Sequence, residues 1–354
     1  MPETNDLKIN GVWPDLDLER VEVCPYCGSK SRQLAHANIQ DWSFKCSPGK
    51  WNYWECSCCR ALYLDPRPTQ NSIGRAYATY YTHGQSSVKI WLNLCKDLIR
   101  NQCYFAWYGI KLKPRISLPK FLFPLLSVFR KYIVEPSFIV KELNQLPKGR
   151  VVDVGCGSGA FLDIAKQFGW TTLGIELDPE AVKVSRAAGH EIIQATYEAL
   201  NDFESELDCI ICSHIIEHVH DPISLFLAMN HALKLGGVIL LSMPNAGSLV
   251  RCAVSDNWRG LEAPRHLSIP RYEGLLKSAR LFGFEKKYST ISRFETLDAS
   301  VMIARQRGVD TPIFRTNLER LHAAENHMTE ADSDFINVVF RKVSESVHEY
   351  QCTL

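Results

Sequence analysis

The chain has 354 residues, 46% of them hydrophobic and 22% charged, with 40 basic against 39 acidic side chains. That is enough apolar chain for a large core, and the length suits one large domain joined to a smaller one. A net charge near zero gives no bulk electrostatic case for nucleic acid, and no run of about 18 apolar residues is present to span a bilayer.

In chain order, the first stretch, MPETNDLKIN, has neither a basic start nor an apolar run, so no secretory signal is expected. The thirteen cysteines are then expected in a reducing, cytoplasmic setting, where paired spacing points to metal ligation rather than disulfides. Residues 1–85 are rich in Cys, Trp and Pro and read as short strands and turns. Within them, Cys24-Pro-Tyr-Cys27-Gly and Cys56-Ser-Cys-Cys59 form a C-x2-C … C-x2-C pattern. Four thiolates at that spacing suit a closed, structural zinc site, which adds folding energy to a segment too short for its own core. Cys46 has no nearby partner and is expected as a loop or core thiol.

Residues 86–145 read as helices. Between Lys96 and Lys131 eight basic residues, Arg115, Lys120 and Arg130 among them, face one acid, Asp97, and aromatic residues including Phe121, Phe123 and Phe129 are interleaved. Two readings stand. One is a lid or dimer surface whose aromatics face a core. The other is a hairpin over 96–134 lying in a membrane interface against an anionic or lipid-linked acceptor, at the inner face of a membrane.

From 146 onward short β-rich runs alternate with helical ones. Strands are expected at 151–154, 171–175, 191–194, 208–212 and 238–243. Helices are expected at 160–168, 179–188 and 222–235, each stopped by a glycine. Alternation of this kind gives an α/β, doubly wound, Rossmann-like sheet that binds ligands at the carboxyl ends of its strands. Residues 146–354 are read as that domain, with a helical insertion at about 297–328 and a late edge strand at 335–341.

The loop Gly155-Cys-Gly-Ser-Gly159 lies between a strand and a helix, where glycines permit a tight turn and close approach of a ligand. Asp153 precedes it and Glu176 ends the next strand, where an acid accepts from ribose hydroxyls. A carboxylate before the loop would repel a pyrophosphate and suits a cationic ligand.

These residues resemble a known family. Val151-Val-Asp-Val-Gly-Cys-Gly-Ser-Gly159 looks like the first motif of class I S-adenosylmethionine (SAM)-dependent methyltransferases. Gly174-Ile-Glu-Leu-Asp-Pro179, the run from Leu207 through Glu217-His218 to Pro222, and Leu235 to Asn245 are similar to the family's later strands. The resemblance implies that SAM is held by Asp153, Gly155, Cys156, Gly157, Gly159, Glu176, Leu177 and Ser213. The segment Tyr53-Trp-Glu-Cys56 to Pro68, with Tyr80-Tyr81 beyond it, resembles the zinc-ribbon leader of bacterial sugar and polysaccharide-cluster methyltransferases. That implies a small-molecule acceptor of carbohydrate type, and the basic aromatic stretch adds a lipid-linked one as the alternative.

Methyl transfer needs positioning, plus a base where the acceptor must lose a proton. His266, in Pro264-Arg-His-Leu267, and His218 are the candidates. His214 and His220 are expected at the surface or in caps, and Arg265 either binds an acidic acceptor or sits in a salt bridge. Two other functions stay open: an RNA methyltransferase that clamps RNA with its zinc ribbon, and a non-catalytic scaffold of the same fold.

Overall fold

The computed structural model describes residues 11–77, 87–116, 118–129, 133, 135–309 and 311–345. Tyr80, Tyr81, Arg130 and Lys131 lie outside them. The chain divides into two compact units. One comprises Met1–Tyr81, Cys212–His231 and Leu241–Leu354; the other comprises Thr82–Ile211 and Ala232–Leu240.

The N-terminal strands are β1 (Leu18–Glu19), β2 (Arg32–Ile39), β3 (Trp51–Cys56), β4 (Leu62–Leu64) and β5 (Arg67–Pro68). Helices α1 (Ser87–Tyr108) and α2 (Phe138–Gln145) follow. Then come β6 (Arg150–Val154), α3 (Ala160–Phe168), β7 (Thr171–Glu176), α4 (Pro179–Ala187), β8 (Ile192–Gln194) and β9 (Leu207–Ser213). After these come α5 (Pro222–Ala232), β10 (Leu233–Pro244), α6 (Leu249–Val254), β11 (Ser268–Ile269), α7 (Tyr272–Leu281) and β12 (Phe284–Ile291). The last are α8 (Leu297–Gln306), α9 (Pro312–Ala324) and β13 (Phe335–Lys342).

A seven-stranded sheet runs β12-β13-β10-β9-β6-β7-β8. Strands β6, β7 and β8 are parallel neighbours, in register from Arg150 opposite Thr171 and from Gly174 opposite Ile192. β6 reads Arg-Val-Val-Asp-Val and buries its last four residues. Burial on both faces is what a parallel strand covered by helices requires. Chain reversals are set by glycines: Gly159 and Gly169 cap the two ends of α3 in left-handed conformation, φ +87° and +93°.

Two expectations are corrected. The helix expected to reach 235 ends at Ala232, and β10 begins at Leu233. Pairing takes precedence over the helical pattern, because Glu206 N donates to Ala232 O and Lys234 reaches Asp208 at 2.8 Å. The late strand is not at the sheet edge. β13 lies between β10 and β12, antiparallel to β12, and β12 is the edge. The burial patterns explain the order: Ile336 to Phe340 are all buried, whereas β12 exposes much of its length.

The N-terminal strands form a four-stranded sheet, β11-β4-β3-β2, in which Ser268 and Ile269 pair with Tyr63 and Leu62. Trp51, Tyr53, Leu62 and Leu64 share a core with Val250, Trp258, Leu267, Phe314 and Leu321. The cysteine-rich leader therefore buries its apolar face against late segments of its own unit, including the helices of 297–324. In the other unit Tyr104, Ile110, Leu112 and Val140 pack with Phe161, Ile164 and Phe168. Among the described residues no helix is long and apolar enough to cross a membrane.

Candidate active site

The glycine loop follows β6. Gly155 N and Cys156 N both donate to Ile175 O, at 2.7 and 3.2 Å, which turns the chain sharply at the strand end. Gly155, Gly157 and Gly159 have φ of +69°, +54° and +87°, a region that costs other residues about 1 kcal/mol or more. At Gly159 space also forbids a side chain, since a Cβ would sit 2.5 Å from His190 Cδ2. Around Gly157 a Cβ would meet nothing within 4 Å, so this part of the loop presents open backbone.

Asp153 is 2% exposed. Burial, and then the charge of Glu176, push its carboxyl up to about 8. A cation placed beside it would draw it back to the ionised form. Glu176 holds the loop directly: Oε2 accepts from Gly157 N at 2.8 Å, and Oε1 accepts from Leu177 N and Asp178 N at 2.8 and 2.9 Å. Both lone pairs of Oε1 are thereby used, and Oε2 keeps a spare one for a ligand hydroxyl. The site thus fits a ligand that is positively charged and carries hydroxyls, as SAM does.

Two expected contacts are narrowed. The Cys156 side chain turns inward onto Leu162, Val182 and Ile192, so only its backbone faces the loop. Leu177 is 62% exposed, an apolar surface beside Glu176. Ser213 ends β9 and belongs to the other unit.

In that unit, Glu217, His218 and His266 come together, one carboxylate oxygen and one nitrogen of each ring all lying within 4.8 Å of one another. The short 3-10 turn Ile216–His218 supplies two of them, and Leu267 N ties the His266 loop to Glu217 O at 2.7 Å. The imidazoles meet edge to face, 4.7 Å between centroids. His266 Nδ1 lies 2.7 Å from Gly260 O, and His218 Nδ1 lies 3.0 Å from both Arg265 O and the Tyr77 hydroxyl. A backbone carbonyl only accepts, so each Nδ1 carries the proton and each Nε2 is left as the basic nitrogen.

Burial lowers His266 to about 4 against the pull of Glu262, so the ring is neutral near pH 7. Burial alone would raise Glu217, but the His214 hydrogen bond and the surrounding imidazoles bring it below the usual carboxylate range. His214 sits on the exposed side, 3.3 Å from Glu217 Oε1, and His220 Nε2 lies 3.0 Å from Pro68 O.

Arg265 is fully buried and contacts both oxygens of Asp41, at 2.7 and 3.1 Å, as well as Glu262 at 3.0 Å. It is an internal salt bridge rather than an acceptor-binding arginine. Cys46, close to the same Asp41 and Arg265, is a core thiol. Sequence reasoning passed over Asp41, Tyr77 and Glu262. Glu262, four residues before His266, was open to detection; Asp41 lies 224 residues from Arg265 and was not.

Cys24, Cys27, Cys56 and Cys59 are buried, with all four sulfurs within 4.8 Å of one another. Sγ–Sγ distances are 3.5 Å for Cys24–Cys59 and 3.4 Å for Cys27–Cys56. An ion with bonds of about 2.3 Å spaces tetrahedral sulfurs by about 3.8 Å, so a small contraction or expansion suffices. Both knuckles close alike: Gly28 N donates to Cys24 O and Arg60 N to Cys56 O, with Gly28 and Arg60 left-handed.

Residues 128–288 match the family model of a methyltransferase domain. A ubiquinone biosynthesis O-methyltransferase of Xanthomonas campestris is 36% identical over 107 residues, covering 28% of this chain and 45% of that protein. One from Xylella fastidiosa is 35% identical over 119 residues, covering 32% and 48%. The chain thus spans about half the length of these curated relatives. A putative sarcosine dimethylglycine methyltransferase from Galdieria sulphuraria superposes with a TM-score of 0.42 at 15% identity, over 70% of this chain and 99% of that one. The seven-stranded α/β sheet is Rossmann-like, and residues 128–288 are similar to a methyltransferase domain.

Proposed function

We propose that this chain is a SAM-dependent methyltransferase acting on a small-molecule acceptor. The observation that carries the reading is the pairing of buried Asp153 with the Glu176-clamped, left-handed loop at the ends of β6 and β7. SAM would be held by Asp153, Glu176, the backbone of Gly155, Cys156, Gly157 and Gly159, and the apolar surface of Leu177. Bound there, it supplies an activated methyl group, leaving the protein to position the acceptor and manage its proton. His266 and His218, with Glu217 beside them, are the proposed catalytic residues. Their Nδ1 contacts to backbone carbonyls fix the rings and leave Nε2 for the acceptor side.

The four cysteines are proposed to hold structural zinc, since four sulfurs leave no open position for chemistry. The name of the curated relatives supports a small-molecule acceptor. Within that class we favour a carbohydrate-type or lipid-linked one. Support for the lipid-linked form comes from the helical turn Lys120–Phe129, which leaves Phe121, Leu125 and Val128 exposed on successive turns. Labelled SAM supplied with panels of sugar nucleotides and isoprenoid-linked acceptors tests the reading. Acceptor-dependent formation of S-adenosylhomocysteine supports it. SAM bound without turnover on any acceptor, in protein that also fails to bind acceptors, would point to a scaffold.

A further inference from the structure

We propose that Glu217, His218 and His266 form a second metal site, separate in composition from the four cysteines, that takes a divalent transition-metal ion through one carboxylate oxygen and two imidazole nitrogens. The role of that ion in methyl transfer rests on the function proposed above; its binding does not.

Three observations carry the assignment. The three donor atoms already lie within 4.8 Å of one another. Donors at about 2.1 Å from a tetrahedral ion stand about 3.4 Å apart, so side-chain adjustments of little more than an ångström close the site. Both imidazoles are also arranged as metal-binding histidines are. Nδ1 of His266 meets Gly260 O and Nδ1 of His218 meets Arg265 O, which fixes the tautomer and leaves Nε2 as the nitrogen able to take an ion. His266 Nε2 stands 3.7 Å from Glu262 Oε2, beyond hydrogen-bond distance. Lastly, Glu217 is 0% exposed, and its Oε2 has no hydrogen-bond partner among the described residues. A buried carboxylate oxygen without a donor is costly, and a cation is one of the few groups that offset it.

The donor set names the class of ion. Two imidazoles and one carboxylate suit Zn(II), Fe(II) or Co(II), whereas Mg(II) and Ca(II) prefer oxygen alone. Three protein donors leave at least one position open, as catalytic rather than structural sites do. An acceptor hydroxyl occupying that position would have its pKa lowered by the ion. Its O–H bond would break with the proton passing to solvent, and the oxygen's electron pair would form the new C–O bond as the methyl carbon–sulfur bond breaks, S-adenosylhomocysteine leaving with that bond's electrons. The cluster's catalytic role is thereby refined: the two histidines act through the ion they hold.

The test uses full-length protein with its cysteine site filled by zinc, titrated with Co(II). The expected result is one Co(II) per chain with weak d–d absorption and no thiolate charge-transfer band. Electron spin-echo spectroscopy should detect couplings from two directly bound imidazoles. Glu217→Gln and His218→Ala should each weaken Co(II) binding more than about tenfold while keeping the zinc. No Co(II) uptake by the wild type, or uptake without imidazole coupling, overturns the proposal, as does unchanged affinity in both variants. The wild-type spectra decide even where a variant fails to fold. Since neither SAM nor acceptor is present, failure here leaves the SAM reading intact, and failure of SAM binding leaves this one intact.

Discussion

Replacing Asp153 with Asn should remove both most of the SAM affinity and its dependence on pH. The carboxyl sits at about 8 in the folded chain because it is buried and faces Glu176. Binding a cation requires the ionised form, so the sign is set: affinity rises as pH rises toward 8 and falls below it. Each unit below that value costs about 1.4 kcal/mol to ionise the group. Wild-type affinity should therefore be about tenfold lower at pH 7 than its limit, and about a hundredfold lower at pH 6. A hydrogen bond to a charged group contributes about 1.5–3 kcal/mol. At about pH 8.5, Asp153→Asn should thus bind SAM about ten- to a hundredfold more weakly than wild type. At pH 6 the wild type's ionisation cost cancels that advantage, so the two proteins should bind about equally. Calorimetry on both proteins across this range gives the ratio, in which the titration of SAM's own amino group cancels. A ratio independent of pH, or equal affinities at about pH 8.5, would refute the role given to Asp153.

Other outcomes follow from the same structure. His266→Ala should lower methyl transfer about 10²- to 10⁴-fold with SAM affinity within a few-fold, measured by turnover and calorimetry. Arg265→Met leaves Asp41 and Glu262 buried without their partner. It should cost about 3–5 kcal/mol, a fall of about 10 °C in Tm, and adding Asp41→Asn should recover part of it. Cys56→Ser, or chelation of the cysteine site, should raise amide exchange across β3 and β4, which the knuckle joins. Serine at Phe121, Leu125 and Val128 should abolish co-flotation with vesicles of anionic lipid; equal flotation of both proteins, or none in either, would reject the membrane contact.

Much of the sheet was legible because its signals are local. Helix α3 matched its expected bounds, 160–168, because Gly159 and Gly169 punctuate it and both adopt the left-handed conformation that glycine alone takes readily. The cysteine pairs were legible because their spacing sets the knuckle geometry that the backbone repeats twice. Features that depend on distant partners were not. The end of α5 is decided by pairing with residues near Asp208, so the Gly236-Gly237 stop was the wrong cue. The run at 335–341, mostly apolar but broken by Asn337, signalled a strand, and it was misplaced by assuming an edge. His266 and His218 were found as separate loop residues. Their meeting with Glu217, and the carbonyls that orient them, depend on residues up to 49 positions apart and needed the fold.

The central claim is that the loop between β6 and α3, with Glu176, holds SAM. Photocrosslinking of methyl-labelled SAM to the intact chain, followed by peptide mapping, tests it most directly. The account predicts one label per chain within residues 150–178, competed away by S-adenosylhomocysteine and lost in Asp153→Asn. Label confined to other segments, or no competable label at saturating SAM, would contradict it.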